Sequence, residues 1–246
     1  MSDKLPLLIR SGNPLVGIET IDEARALERI YQVAETLELP ILQWSMTGGL
    51  RRYRQGILYD RVTEGTKIGD ALSFIHKKDK PQIYVFLDAG AHCSDAITYR
   101  RFRDILPLCA ERKATIFLVE SRPLPDPIQR FTIRYELGWP SAGELENTIR
   151  STVKRIRDEN HKKIDIEIKK SELEHLVLSL RGLSCSEAER VVASAIYDDF
   201  ALTSADIPRL VEAKRTLLGS AGCLESIAVD FKHLQRLGGD GLGPFD

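Results

Sequence analysis

The sequence predicts an α/β fold in which a mainly parallel sheet is flanked by helices, followed by a small all-α domain. Three observations lead there. Strand-like and helix-like segments alternate up to about Arg150, the pattern of α/β folds. Two strand candidates, Ile83–Leu87 and Thr115–Val119, are almost unbroken apolar runs, as strands covered on both faces are. From Ser171 the alternation stops, and [ST]-x-x-[DE] helix starts follow at Ser171, Ser184 and Thr203, each preceding an amphipathic run.

The apolar run Pro14–Ile18 gives a first strand, Leu15–Glu19. A helix over Asp22–Leu37 follows, with Ala26, Ile30, Val33, Ala34 and Leu37 on one stripe at three- and four-residue spacing. Thr20 and Glu23 before it have the capping-box spacing. Then come a strand at Ile41–Trp44, a helix at Gly69–His76, the strand Ile83–Leu87 and a helix at Asp95–Arg112. The strand Thr115–Val119 and a strand at Thr132–Leu137 complete the sheet. After Trp139-Pro140, Ser141 caps a helix to Arg157, with Glu144 three residues on. Trp44 and Trp139 are expected at domain edges, where a large ring packs on one face. The expected organisation is therefore an α/β domain over 1–157, a polar hinge over 158–170, a helical domain over 171–222 and a glycine-rich tail or linker over 223–246. Gly182 ends the first lid helix.

A chain of 246 residues buries about 70–75% of its unfolded surface and needs no disulfide. Net charge is −1, so no global field favours nucleic acid or an anionic membrane. Cys93, Cys109, Cys185 and Cys223 are scattered, without metal-finger spacing, and read as reduced thiols. No apolar run reaches the roughly 20 residues of a membrane span. A cytoplasmic protein without membrane attachment is expected.

The most informative position is the exit of the first strand. Glu19-Thr20-Ile21-Asp22-Glu23 leads directly into a helix, and no G-x-x-x-x-G-K-[ST] phosphate loop occurs in the chain. Anion binding at a helix start needs open N–H groups and positive potential; here Asp22 and Glu23 answer the helix dipole themselves. Asp88, directly after Ile83–Leu87, has the position of a Walker B acid, which holds Mg²⁺; ending a buried strand is its plainer role. The next residue is Ala89, which has no group to polarise a water. Thr115–Val119 is followed by Glu120-Ser121-Arg122-Pro123, with Ser121 where a γ-phosphate sensor would stand.

On these stretches the chain resembles the N-terminal half of the plastid- and cyanobacterium-type AAA ATPase family, first known as a conserved chloroplast open reading frame. The matching residues are Leu8-Ile9-Arg10, Pro14-Leu15-Val16, Trp44-Ser45, Gly49-Leu50 and the Asp88 strand. Gly182-Leu183-Ser184, Glu187-Ala188-Glu189 and Glu212 to Arg215 continue the likeness. The resemblance implies a P-loop NTPase or AAA+-like domain lacking the Walker A loop, then a helical lid, normally ahead of a second, complete ATPase module. It also implies that Arg130, between the fourth and fifth core strands, can act in trans on a neighbouring subunit's site. A surface arginine is the plainer reading.

Other constellations are weaker. Arg51-Arg52-Tyr53-Arg54 and Arg100-Arg101-Phe102-Arg103 interleave arginine with aromatic residues, as single-strand binders do; in a neutral chain a solvated face is the better explanation. Gly48-Gly49 fits an anion-binding nest or a plain turn. His92, Cys93 and Asp95 are adjacent without further ligands, so no metal is expected. The expected function is a non-catalytic AAA+-like module, without catalytic residues or cofactor, that scaffolds or regulates an assembly through protein contacts or self-association. Two alternatives stay open: part of an active ATPase whose hydrolysis resides in a C-terminal module, and a nucleic-acid-binding adaptor.

Overall fold

The computed structural model describes residues 4–160, 165–167, 169–203 and 206–220. Contacts divide the chain into two units, 1–138 and 139–246.

In the first unit, α1 (Leu5–Arg10), β1 (Leu15–Glu19) and α2 (Glu23–Thr36) lead to β2 (Ile41–Ser45), β3 (Gly49–Arg54) and β4 (Ile57–Arg61). Next come α3 (Ile68–His76), β5 (Ile83–Leu87), a 3₁₀ turn at Ala89–His92 and α4 (Ala96–Glu111). β6 (Thr115–Glu120), α5 (Asp126–Gln129) and β7 (Ile133–Arg134) complete the unit. The seven strands lie in the order β4-β3-β2-β5-β6-β1-β7. The five strands from β2 to β7 in that order pair in parallel, and the β3–β4 hairpin extends the sheet antiparallel beyond β2.

Side chains on the central strands alternate between two cores, as the two-residue period of a strand requires. Leu42, Trp44, Tyr84, Phe86, Ile116 and Leu118 join a cluster with Leu72 of α3 and Phe102 of α4. Ile41, Ile83, Val85, Phe117 and Val119 face the opposite way, with Leu5 of α1 and Ile30 of α2. The sheet is thus a middle layer with helices on both faces, as expected. Gly17 on β1 has no side chain for a reason: a Cβ there would lie 2.7 Å from Thr132 Cγ2 and 2.9 Å from Leu124 Cδ1.

The second unit holds α6 (Ala142–Asn160), β8 (Asp165–Glu167), α7 (Lys170–Leu180), α8 (Cys185–Asp199), β9 (Ala201–Thr203) and α9 (Ile207–Ser220). β8 and β9 form a short parallel ribbon. The helix ending near 157 was assigned by sequence to the α/β domain. Instead, Leu145, Ile149, Val153 and Ile156 on α6 share a core with Leu176, Leu180, Val192 and Ile196. Its apolar stripe marks a buried face without saying which core receives it. Polarity also misplaced the hinge, since residues 158–170 contain the end of α6 and β8.

The caps follow the sequence unevenly. Ser141 and Glu144 exchange bonds at 2.9 and 3.2 Å, and Ser184 with Glu187 at 2.8 and 3.2 Å. At the start of α7, Lys169 N–H, not Ser171, meets a carboxylate, that of Glu172 at 2.8 Å. Thr203 N–H donates to Asp206 at 2.8 Å ahead of α9. Residues 221–246, including the expected tail, lie outside the described residues. Among the described residues no helix is long and apolar enough to cross a membrane.

Candidate functional site

β1 leaves through α2 to β2, on one side of the sheet, while β6 leaves through α5 to β7, on the other. The neighbouring strands β1 and β6 therefore straddle a topological switch point, and in open α/β sheets ligands bind outside the carboxyl ends of strands at such a point. The residues delivered there are Glu19 from β1, Asp88 after β5, and Glu120 and Ser121 at the end of β6. Glu23 stands in the first turn of α2.

The crevice is tied together by its own carboxylates. Glu120, only 4% exposed, accepts the Gly90 N–H through Oε1 at 2.9 Å. A Cβ at Gly90 would lie 2.7 Å from Glu120 Oε2, so the carboxylate would have to move. Asp88 adopts the left-handed region with φ 48°, which Asp tolerates better than most residues. Its Oδ1 accepts both the N–H of Ser121 at 3.2 Å and the Ser121 hydroxyl at 2.9 Å. Glu19 accepts the Leu124 N–H at 3.3 Å and meets the Arg134 guanidinium at 3.4 Å. Ala89 is fully buried among the core residues beneath the site.

Burial, then repulsion from Asp88 and Glu19, pushes the Glu120 carboxyl up to about 7, against the bonds from Gly90 and Ala89. Glu23 is also raised, by burial first and Asp88 second. These carboxyl groups thus sense one another across three elements. A new anion entering would add to that repulsion.

One sequence expectation is corrected. α2 begins at Glu23 with Asp22 at the N-cap, without a side-chain capping bond. Thr20 Oγ1 accepts from the N–H of Asp22 at 3.0 Å, a two-residue turn of the kind Ser and Thr make. Thr20 N–H is engaged in the ladder, donating to Glu120 O at 2.8 Å. The capping box fails because the strand pairing runs one residue further than its apolar pattern. Thr20 therefore lies two residues ahead of the N-cap Asp22, too early to cap.

Arg130 lies at the C-cap of α5, between β6 and β7, and is exposed. His92, Cys93 and Asp95 diverge. His92 packs its edge against Trp44, the Cys93 thiol is pushed up to about 12 by burial, and Asp95 caps α4 through Thr98 N–H at 2.8 Å. No group of three metal-ligating side chains occurs among the described residues. Trp44 is 1% exposed and donates its indole N–H to Thr66 O at 2.9 Å; it is a core residue and not an edge one. Trp139 is 71% exposed.

The arginine clusters separate. Arg100 pairs with Asp104 at 2.6 Å, Phe102 is fully buried, and Arg103 lies over the Phe131 ring. Arg51 bonds Tyr59 O at 3.0 Å, while Arg52, Arg54 and Arg61 line a hollow of about 360 Å³. Gly48 lies in the β2–β3 turn, its N–H bound to Ser45 Oγ at 3.0 Å, and Gly49 opens β3, paired with Ser45. Sequence reasoning missed Gly90 and Arg134 at the crevice. The signal for them is faint: a glycine two residues after a strand-ending acid, and an arginine in a short edge strand.

Family models described as "SpoVK-like AAA ATPase, N-terminal domain" and "SpoVK-like AAA ATPase, second domain" match residues 1–137 and 143–221. No curated protein matches the chain. Among solved structures, the FIGL-1 AAA domain in complex with ADP is similar, with TM-score 0.53 and 13% identity over 92% of this chain and 76% of that one. The C. elegans PCH-2 structure gives TM-score 0.51 and 9% identity over 87% and 67%. The E. coli MS115-1 HORMA:CdnC:Trip13 complex gives 0.52 and 15% over 84% and 75%. At these identities the likeness is one of fold.

Proposed function

On the premise that the chain belongs to the SpoVK-like AAA ATPase family, we propose that it is a non-catalytic AAA+-type module that scaffolds or regulates an assembly through protein contacts. The observation that carries this is the crevice itself. At the switch point stand Glu19 and Asp88 at strand ends and Glu23 in the first turn of α2, with the buried Glu120 held by Gly90, and β1 passes into α2 without a phosphate loop.

The magnitudes favour exclusion. Two like unit charges about 4 Å apart repel by about 4 kcal/mol at an effective dielectric of about 20. Two such encounters offset the roughly 8 kcal/mol of a micromolar complex. The Walker B-like Asp88 spends an oxygen on Ser121, the sensor-like residue, so these two positions bind each other instead of metal and phosphate. Hydrolysis has no residue to polarise water next to Asp88, since Ala89 is apolar and buried.

A second reading is favoured by the descriptions of the matching models as an N-terminal and a second domain. In it, these residues are the front of a longer ATPase whose hydrolysis lies in another module, and Arg130 serves a neighbouring subunit. The Trip13 structure was solved in a complex with HORMA and CdnC, which supports a protein-contact role by analogy of fold alone.

Thermal unfolding with and without Mg·ATP tests the proposal. A ligand at about 100 times its Kd stabilises by about 2.7 kcal/mol, which raises Tm by about 5–10 °C in a chain of this size. No shift at millimolar Mg·ATP is expected; a shift of that size removes the proposal.

A further inference from the structure

We infer that the face between α6 and α7 is a docking groove for a partner helix carrying an apolar stripe flanked by carboxylates. The inference rests on the reading of the chain as a module that works through protein contacts, and it names the surface and the chemistry of the contact.

The groove encloses about 860 Å³ within the helical unit. Its floor is apolar, with Ile149 and Val153 from α6 and Leu173 and Val177 from α7. Leu178 stands 49% exposed on its wall. Ile149, Val153 and Val177 are already packed into the helical core, so the accessible apolar surface of the groove comes from Leu178 and the half-buried Leu173, and apolar surface within a polar rim marks an interaction site.

The rim selects the partner. Lys154, Arg157, Lys170 and Arg181 line it, all exposed, and none has a carboxylate partner among the described residues. Arg150 is already neutralised by Glu146 at 2.6 Å, leaving Glu174 as the one acid on the rim not in a described ion pair. The surplus is positive although the whole chain has net charge −1. Such a local field steers an acidic partner and fixes its register.

The shape selects a helix. The lining positions Glu146, Ile149, Val153 and Arg157 advance by three and four residues along α6, as Lys170, Leu173, Val177 and Arg181 do along α7. Eleven residues span roughly 17 Å, about three turns, which matches anchors at i, i+3 or i+4, and i+7 in the helix-in-groove mode. An oligonucleotide would use the cations but leave the apolar floor unfilled.

The test uses the full chain and a labelled 20-residue probe peptide with leucines at i, i+4 and i+7 and glutamates on both flanks, read by fluorescence anisotropy. Saturable 1:1 binding is expected, at least about tenfold tighter than for the same peptide with lysines in place of glutamates. Lys154→Glu with Arg181→Glu should weaken it about tenfold, and Leu178→Asp likewise, with far-UV circular dichroism unchanged. Equal binding of acidic and basic peptides, indifference to these variants, or displacement of the probe by single-stranded DNA would overturn the inference. So would self-association of the chain that Leu178→Asp abolishes, since the groove would then belong to a second copy. The peptide readout is separate from nucleotide: Mg·ATP binding with intact peptide binding removes the proposed function alone, and peptide failure without nucleotide binding removes the groove alone.

Discussion

The Ser121 hydroxyl donates to Oδ1 of Asp88 at 2.9 Å, joining the end of β6 to the turn after β5. The same oxygen accepts the Ser121 N–H at 3.2 Å. Asp88 is thereby held in its left-handed conformation (φ 48°), with its charge beside Glu120 and Glu23.

Asp88→Asn should lower the carboxyl pKa of Glu120, because it removes a neighbouring negative charge while keeping a residue that tolerates positive φ. Carboxyl carbon shifts followed by NMR through a pH titration give the readout. An unchanged midpoint for Glu120 would show that burial alone sets it.

Glu120 should also make the fold lose stability as pH rises. Its carboxyl moves from 4.5 to about 7 on folding, so the folded state binds more protons than the unfolded chain between those values. The stabilising contribution is full below about 4.5 and is lost as pH climbs through about 7, a change on the order of 3 kcal/mol. Glu120→Gln keeps an acceptor for Gly90 N–H and should flatten this part of the profile, leaving the variant more stable than the parent at pH 8. Glu120→Ala, which strands that N–H, should cost about 1–3 kcal/mol. Urea unfolding at pH 5 and pH 8 distinguishes these outcomes.

How far the sequence reads true depends on whether the determinant is local. β1, β5 and β6 were legible because they are apolar runs with little polar interruption, and α2 and α4 because their stripes are regular. The β3–β4 hairpin was not, because Arg51-Arg52-Tyr53-Arg54 reads as charge, although Tyr53 turns inward to stack on Tyr31 at 3.7 Å and the arginines face outward or sideways. β7 is only two residues long, shorter than expected, since it pairs with β1 alone and its side chains are exposed. At the crevice the acids themselves were visible in the sequence. The bond from Gly90 to Glu120 was not, since it joins residues 30 apart in the chain.

Two glycines should resist substitution for reasons of space. Gly17→Ala places a methyl 2.7 Å from Thr132 Cγ2, and Gly90→Ala places one 2.7 Å from Glu120 Oε2. Each is expected to destabilise by about 1–3 kcal/mol, the usual cost of overpacking. Pairing Gly17→Ala with Thr132→Ser should recover part of the loss by removing the clashing methyl. Additive losses in chemical denaturation would contradict the contact.

Trp44→Phe should cost about 2–3 kcal/mol: it gives up the indole bond to Thr66 O and leaves space in a fully packed layer. Tryptophan fluorescence of the parent should report this environment as a blue-shifted component, since Trp44 is 1% exposed, beside a solvent-like component from Trp139 at 71%. A single red-shifted band would place Trp44 elsewhere.

The central claim is that the strand ends at the switch point repel triphosphate through their own carboxylates. Isothermal titration calorimetry of Mg·ATP into the 246-residue chain tests it most directly, at pH 8, above the value of about 7 to which the Glu120 carboxyl is raised. The account predicts no saturable heat up to millimolar nucleotide. A 1:1 isotherm with a Kd of about 10 μM, roughly 7 kcal/mol of binding, weakened by Asp88→Asn, would contradict it.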